Sequence, residues 1–156
     1  MKFNKFLILK IFFVLANFQL LFNVSKANSA EEIKIIYSIF SRSIDINSLK
    51  TFAEKGESSK NLSRILKATG SPNNEIRKIL NKDFEIPITI ASKLVYSEIG
   101  NIFLTRLSSI IHPAKADDEK TGLLALRASV VQGIKIGNGK INLINFFEGY
   151  PTKTVI

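Results

Sequence analysis

Hydrophobic positions change their spacing along this chain in a way that divides it. Residues 1–27 open with Lys2 and Lys5, continue through apolar runs from Phe6 to Leu9 and Ile11 to Phe22, and end on the small residues of Ser25-Lys26-Ala27. Lys10, Asn17 and Gln19 break the run, which falls short of the ~20 clean apolar residues of a spanning helix. A positive start, an apolar middle and small residues at −3 and −1 predict a secretory signal peptide over 1–27, cleaved after Ala27 or, as second choice, after Ala30. Left uncleaved, the segment would be the chain's only membrane attachment. The protein is therefore expected to be exported, to periplasm, medium or thylakoid lumen.

From residue 28 onward the pattern predicts one mainly α domain with short extended segments at both ends. Ile33, Ile35 and Tyr37 alternate with Lys34, Ile36 and Ser38, and Ile44 and Ile46 flank Asp45, which is strand spacing. Helical spacing then takes over. Asn47 is placed to cap a helix to Lys55, stopped by Gly56, and Ser59 to cap one to Thr69, stopped by Gly70. Ser71-Pro72 reads as a cap with proline at the first helical position, leading into Ile76, Ile79 and Leu80. After Ile86-Pro87-Ile88 a helix is predicted from about Thr89 to Tyr96, with a join at Ser97 to Gly100. Ile102, Phe103, Leu107, Ile110 and Ile111 predict a further helix ending near Pro113. Thr121 begins another through Leu126 and Val131, and Gly137-Asn138-Gly139 predicts a tight turn. Asn142 starts a last short helix, closed by Gly149-Tyr150-Pro151 before an extended tail at 152–156.

Composition narrows the function classes. Of 156 residues 46% are hydrophobic and 22% charged, which is globular composition, and a chain of this length buries enough surface to fold without cross-links. There is no cysteine, so disulfide, thiolate and Cys-based zinc chemistry are excluded. The formal charge of +9 suggests nucleic acid until it is divided: without the four lysines of residues 1–27, 18 basic residues face 13 acidic ones. These are scattered, with no basic block and no interleaved aromatics, so no nucleic-acid partner is expected. Six phenylalanines remain beyond residue 27 (Phe40, Phe52, Phe84, Phe103, Phe146 and Phe147), and the expectation is that they form core.

Candidate chemistry is sparse. The sequence has neither Gly-x-Ser-x-Gly nor Ser-x-x-Lys, so a serine nucleophile has no motif behind it. His112 is the only histidine; Ser109 precedes it on the same predicted helix face and Asp117 and Asp118 follow. That set lacks an oxyanion hole, and a histidine interacting with a helix C-terminus accounts for it better. His112, Asp117, Asp118 and Glu119 make a poor metal set, because transition metals prefer several His or Cys ligands. The pairs Glu31 and Glu32, and Glu54 and Glu57, read as solvated charge. No catalytic, cofactor-binding or metal-binding residue is assigned, and no cofactor is expected.

The chain resembles a cyanobacterial domain family of unknown function, found after the signal peptide of exported proteins and often in front of an α/β-hydrolase domain. The resemblance rests on Ile36-Tyr37, Ser43-Ile44-Asp45-Ile46 with Leu49, Phe52-Ala53 and Gly56. It continues through Ile99-Gly100 to Leu107, Ile110-Ile111 and Ala125-Leu126-Arg127-Ala128, and closes with Ile141-Asn142-Leu143-Ile144 and Tyr150-Pro151-Thr152. It implies a non-enzymatic, lid-like accessory domain acting by contact with a separate α/β-hydrolase. No position of this sequence matches a hydrolase catalytic residue, so none transfers. Two other readings stand beside it: a carrier of an apolar small molecule such as a lipid, in a cavity lined by Phe103, Leu107, Val131 and Phe147, and a hydrolase by family label only.

Overall fold

The computed structural model describes residues 29–37, 39–116 and 118–156; the expected signal peptide lies outside them. Strands β1 (Glu32–Tyr37) and β2 (Phe40–Asp45) form an antiparallel hairpin with Glu32 opposite Asp45 and Tyr37 opposite Phe40. Seven helices follow among the described residues: α1 (Ile46–Lys55), α2 (Lys60–Thr69), α3 (Asn73–Leu80), α4 (Ile88–Val95), α5 (Glu98–Ser108), α6 (Glu119–Ile136) and α7 (Leu143–Glu148). Two-residue strands β3 (Phe84–Glu85) and β4 (Lys140–Ile141) pair antiparallel between them. The tail returns as β5 (Thr154–Val155), parallel to β1, giving the order β2-β1-β5. On the far side of β5, His112 and Ile156 exchange both backbone hydrogen bonds, and Pro113 bridges Val155. The mainly α class with extended ends is what the structure has.

Helix ends follow from local chemistry. The Asp45 carboxylate accepts from the Ser48 N–H at 2.8 Å, and Gly56 ends α1 in the left-handed region at φ 80°. Ser59 caps α2 and Asn142 caps α7 in the same way. Asn138 and Gly139 take positive φ of 52° and 93°, which confirms the tight turn between α6 and β4.

Helix α6 is the spine. Its buried stripe of Gly122, Ala125, Ser129 and Gly133 is small, so its neighbours approach to backbone distance. A Cβ on Gly133 would lie 2.9 Å from the Asn145 carbonyl oxygen of α7, and the Ser129 hydroxyl donates to the Phe146 carbonyl. Two apolar clusters result. One holds Ile46, Val95, Leu104, Leu126, Tyr150 and Val155; the other holds Ile44, Leu49, Phe52, Leu62, Leu66, Leu80 and Ile144. Ile33 packs against both, so the central strand β1 joins them.

Four expectations about helix ends are corrected. The α1 cap is Asp45 rather than Asn47, because β2 runs straight into the helix. Ser71 does not cap α3, whose N-terminus at Pro72 has no side-chain cap. Helix α6 starts at Glu119 rather than Thr121, capped by Asp118, whose carboxylate accepts the Thr121 N–H at 2.8 Å. Helix α5 stops at Ser108 rather than near Pro113, since the backbone at His112 and Ala114 is drawn into hydrogen bonds with Ile156 and Thr154. The phenylalanine expectation also fails for half the set: Phe52 is fully buried and Phe146 and Phe147 are half-buried, but Phe40, Phe84 and Phe103 are exposed.

Candidate interaction surface

Helices α4 and α5 form a tight hairpin. Each buries one stripe, Ala91 and Val95 on α4 and Gly100, Leu104 and Ser108 on α5. The join at Ser97 is a cap: its hydroxyl oxygen accepts the Gly100 N–H at 3.0 Å and its O–H donates to the Leu94 carbonyl at 2.7 Å. Arg127 of α6 locks the pair from behind. Its Nε donates to the Val95 carbonyl at 3.0 Å, its Nη2 to Asn101 Oδ1 at 2.9 Å, and its guanidinium stacks 4.5 Å from the Tyr96 ring centroid.

The opposite faces of the same helices are apolar and uncovered. Ile90 and Leu94 stand at i and i+4 on α4, and Ile99, Ile102 and Phe103 at i, i+3 and i+4 on α5. Ile99 is 77% and Phe103 63% exposed, far above what a helix buried all round would show. Lys93 and Arg106 share these faces by the same spacing. Past the end of α5, Ile110 carries the apolar surface onward to a cleft of about 240 Å³ against Ile35, Ile36, Phe147 and Ile156. Exposed apolar side chains thus run from α4 across α5 to this cleft.

The structure disperses the residues considered for chemistry. Ser109 Oγ donates to the Arg106 carbonyl at 2.8 Å, and the His112 ring nitrogen Nδ1 lies 3.2 Å from the Pro113 carbonyl oxygen. Ser109 and His112 share no helix face, because α5 has ended. Hydrogen bonds from the Thr121 hydroxyl and backbone N–H hold the Asp118 carboxyl below its ordinary value, as a cap. Asp117 lies outside the described residues. Glu31 pairs with Lys153 at 3.5 Å and Glu32 accepts from the Thr154 hydroxyl at 2.8 Å, so that acidic pair ties the tail to β1. Of the residues expected to line an apolar cavity, Phe147 lines the cleft beside Ile110.

Sequence reasoning missed the uncovered face, although one signal was present. Residues 99–111 carry seven large apolar side chains, too many for one buried stripe, so a part of them had to remain outside. Tyr150 does more than help to close the last helix. It is a central core residue whose hydroxyl donates to the Ile111 carbonyl at 3.4 Å, and burial pushes its phenol well above the usual tyrosine range.

No curated protein and no solved structure matches the chain. Residues 29–156, which contain every element described above, match the model of the family described as "Alpha/beta hydrolase of unknown function (DUF1400)", and the chain belongs to that family.

Proposed function

We propose that this protein is an exported helical module that performs no chemistry of its own and works by contact, its α4–α5 face covering an α/β-hydrolase. The observation that carries the reading is the uncovered stripe of Ile99, Ile102 and Phe103 on a hairpin held rigid by Ser97 and Arg127. Rigid apolar anchors of this kind lose little entropy on docking, which is how a small patch reaches useful affinity. The family's description names an α/β-hydrolase, which supports, as our reading, a hydrolase as the class of protein contacted. The absence of any hydrogen bond between Ser109 and His112 among the described residues is consistent with a role other than catalysis. Export rests on the pattern of residues 1–27.

The test is affinity capture from the exported fraction, with quantitative identification of the eluate. Wild type is expected to retain a stoichiometric α/β-hydrolase. An Ile102→Asp/Phe103→Asp double variant with unchanged helical content is expected to lose it. An eluate without hydrolase, or one that the double variant retains in full, would overturn the reading.

A further inference from the structure

A second apolar surface lies apart from the α4–α5 face, in a groove of about 470 Å³ where α3, the β3–β4 ladder and α7 meet. Phe84 and Ile141 are directly paired across the ladder and form its floor. Ile79, Leu143 and Phe146 complete the apolar lining, the Phe146 ring edge-on to Phe147 at 5.2 Å. Phe84 and Ile79 are each 55% exposed, so the groove is open along its length.

The charges around it are unevenly used. Lys140 pairs with Glu85 at 3.0 Å, a hydrogen bond that raises the lysine above its ordinary value, and Asp83 accepts from the Asn142 amide at 2.8 Å. Lys82 forms no ion pair among the described residues; its ammonium sits 5.3 Å from the centroid of the Phe84 ring. It is the one charged side chain lining the groove.

We infer that this groove binds a single-chain fatty acid, the alkyl chain lying over Phe84 and Ile141 and the carboxylate meeting the Lys82 ammonium. The apolar lining selects a hydrocarbon, and a lysine that lies over Phe84 with no ion pair among the described residues favours an anionic head over a neutral or cationic one. The volume lies within the range of about 300–1,000 Å³ seen for small-molecule sites. Each methylene fully buried adds about fourfold to affinity, and less in an open groove. The exposed lysine adds about two- to fivefold, as exposed ion pairs do. None of this depends on the hydrolase contact, whose residues lie on other helices.

The experiment is an amide chemical-shift titration of the purified protein with caprate, laurate, dodecanol and dodecyltrimethylammonium. Laurate is expected to shift Ile79, Phe84 and Leu143, to bind more tightly than caprate, and to exceed dodecanol about two- to fivefold. Lys82→Glu should cancel that preference and favour the ammonium compound. Leu143→Asp should abolish binding of all four; an acid in the first turn of α7 favours the helix, so folding is retained. Absence of shifts at the groove, equal affinity for laurate and dodecanol, or unaltered laurate affinity in Lys82→Glu would each overturn the proposal. So would concentration-dependent shifts of the same amides without ligand, which would assign the groove to a second copy of the chain.

Discussion

Replacing Gly100 with alanine sets two physical effects against each other and the structure says which is larger. In a helix, glycine to alanine normally stabilises by about 1 kcal/mol, because alanine has less backbone freedom to lose. At Gly100, however, a Cβ would sit 1.9 Å from the Leu94 carbonyl oxygen, 3.0 Å from its carbon and 3.1 Å from the Val95 Cα. A tolerable C···O approach is about 3.3 Å, so the hairpin must open by more than an ångström. The obstructing oxygen cannot turn aside cheaply: it accepts the Ser97 N–H at 3.1 Å and the Ser97 hydroxyl at 2.7 Å. Overpacking against side chains costs about 1–3 kcal/mol, and disturbing these hydrogen bonds adds about 1 kcal/mol. Set against the propensity gain, the expected result is a net loss of about 2 kcal/mol. Urea unfolding followed by far-ultraviolet circular dichroism reads this directly; with a slope of about 2 kcal/mol/M the midpoint falls by about 1 M. A midpoint at or above wild type would show that propensity dominates and that α4 and α5 are not in backbone contact. Because the same movement separates Leu94 from Ile99 and Ile102, the variant should also capture less hydrolase.

Three further outcomes are expected. Phe52→Ala, at a site with no solvent exposure, should cost about 3–5 kcal/mol and is measured by thermal or urea unfolding. Tyr150 should resist ionisation in the folded protein: with its folded value above the unfolded value of 10.0, its contribution is fully present below that pH and stability falls as the pH rises above it. Phenolate absorbance should show Tyr150 titrating only with unfolding, and normal ionisation of all three tyrosines in the native state would contradict its burial. Arg127→Lys should cost about 1–2 kcal/mol, since one ammonium cannot span Val95 and Asn101 while stacking on Tyr96, and unfolding indistinguishable from wild type would deny the latch.

Helix identity was legible in the sequence wherever a cap and a stop bracketed an apolar repeat. Ser59 with Gly70, and Asn142 with Gly149, bound their helices as written. Legibility failed where a residue had two suitors. Asp45 and Asn47 both carry cap chemistry, and the strand pairing of Asp45 with Glu32 decides between them. Ile110 and Ile111 continue the apolar repeat of α5, but the returning tail claims the backbone at His112, over forty residues away in sequence. No local pattern contains that competitor. The apolar excess was legible as a quantity and not as a location: counting shows that α5 cannot bury everything it carries, and only packing against α6 shows that Ile99 and Phe103 are the ones left out.

The basic residues teach the complementary lesson. Arg77 sends its Nε to the Ala53 carbonyl at 3.2 Å and its Nη2 to the Glu54 carbonyl at 3.0 Å, at the C-terminal end of α1. Arg127 does the same at the end of α4 through Val95. Both guanidiniums therefore meet the negative ends of helix dipoles, where a cation stabilises the fold and satisfies carbonyls that have no partner within the helix. Lys140, Lys50 and Lys153 are held in ion pairs. Positive charge in this domain is to that extent a structural material, which is why its net value carries so little functional information. Apolar surface is the reverse: most of its buried part lies in two clusters against a spine of small residues, and its exposed part includes the α4–α5 face and the groove at the β3–β4 ladder.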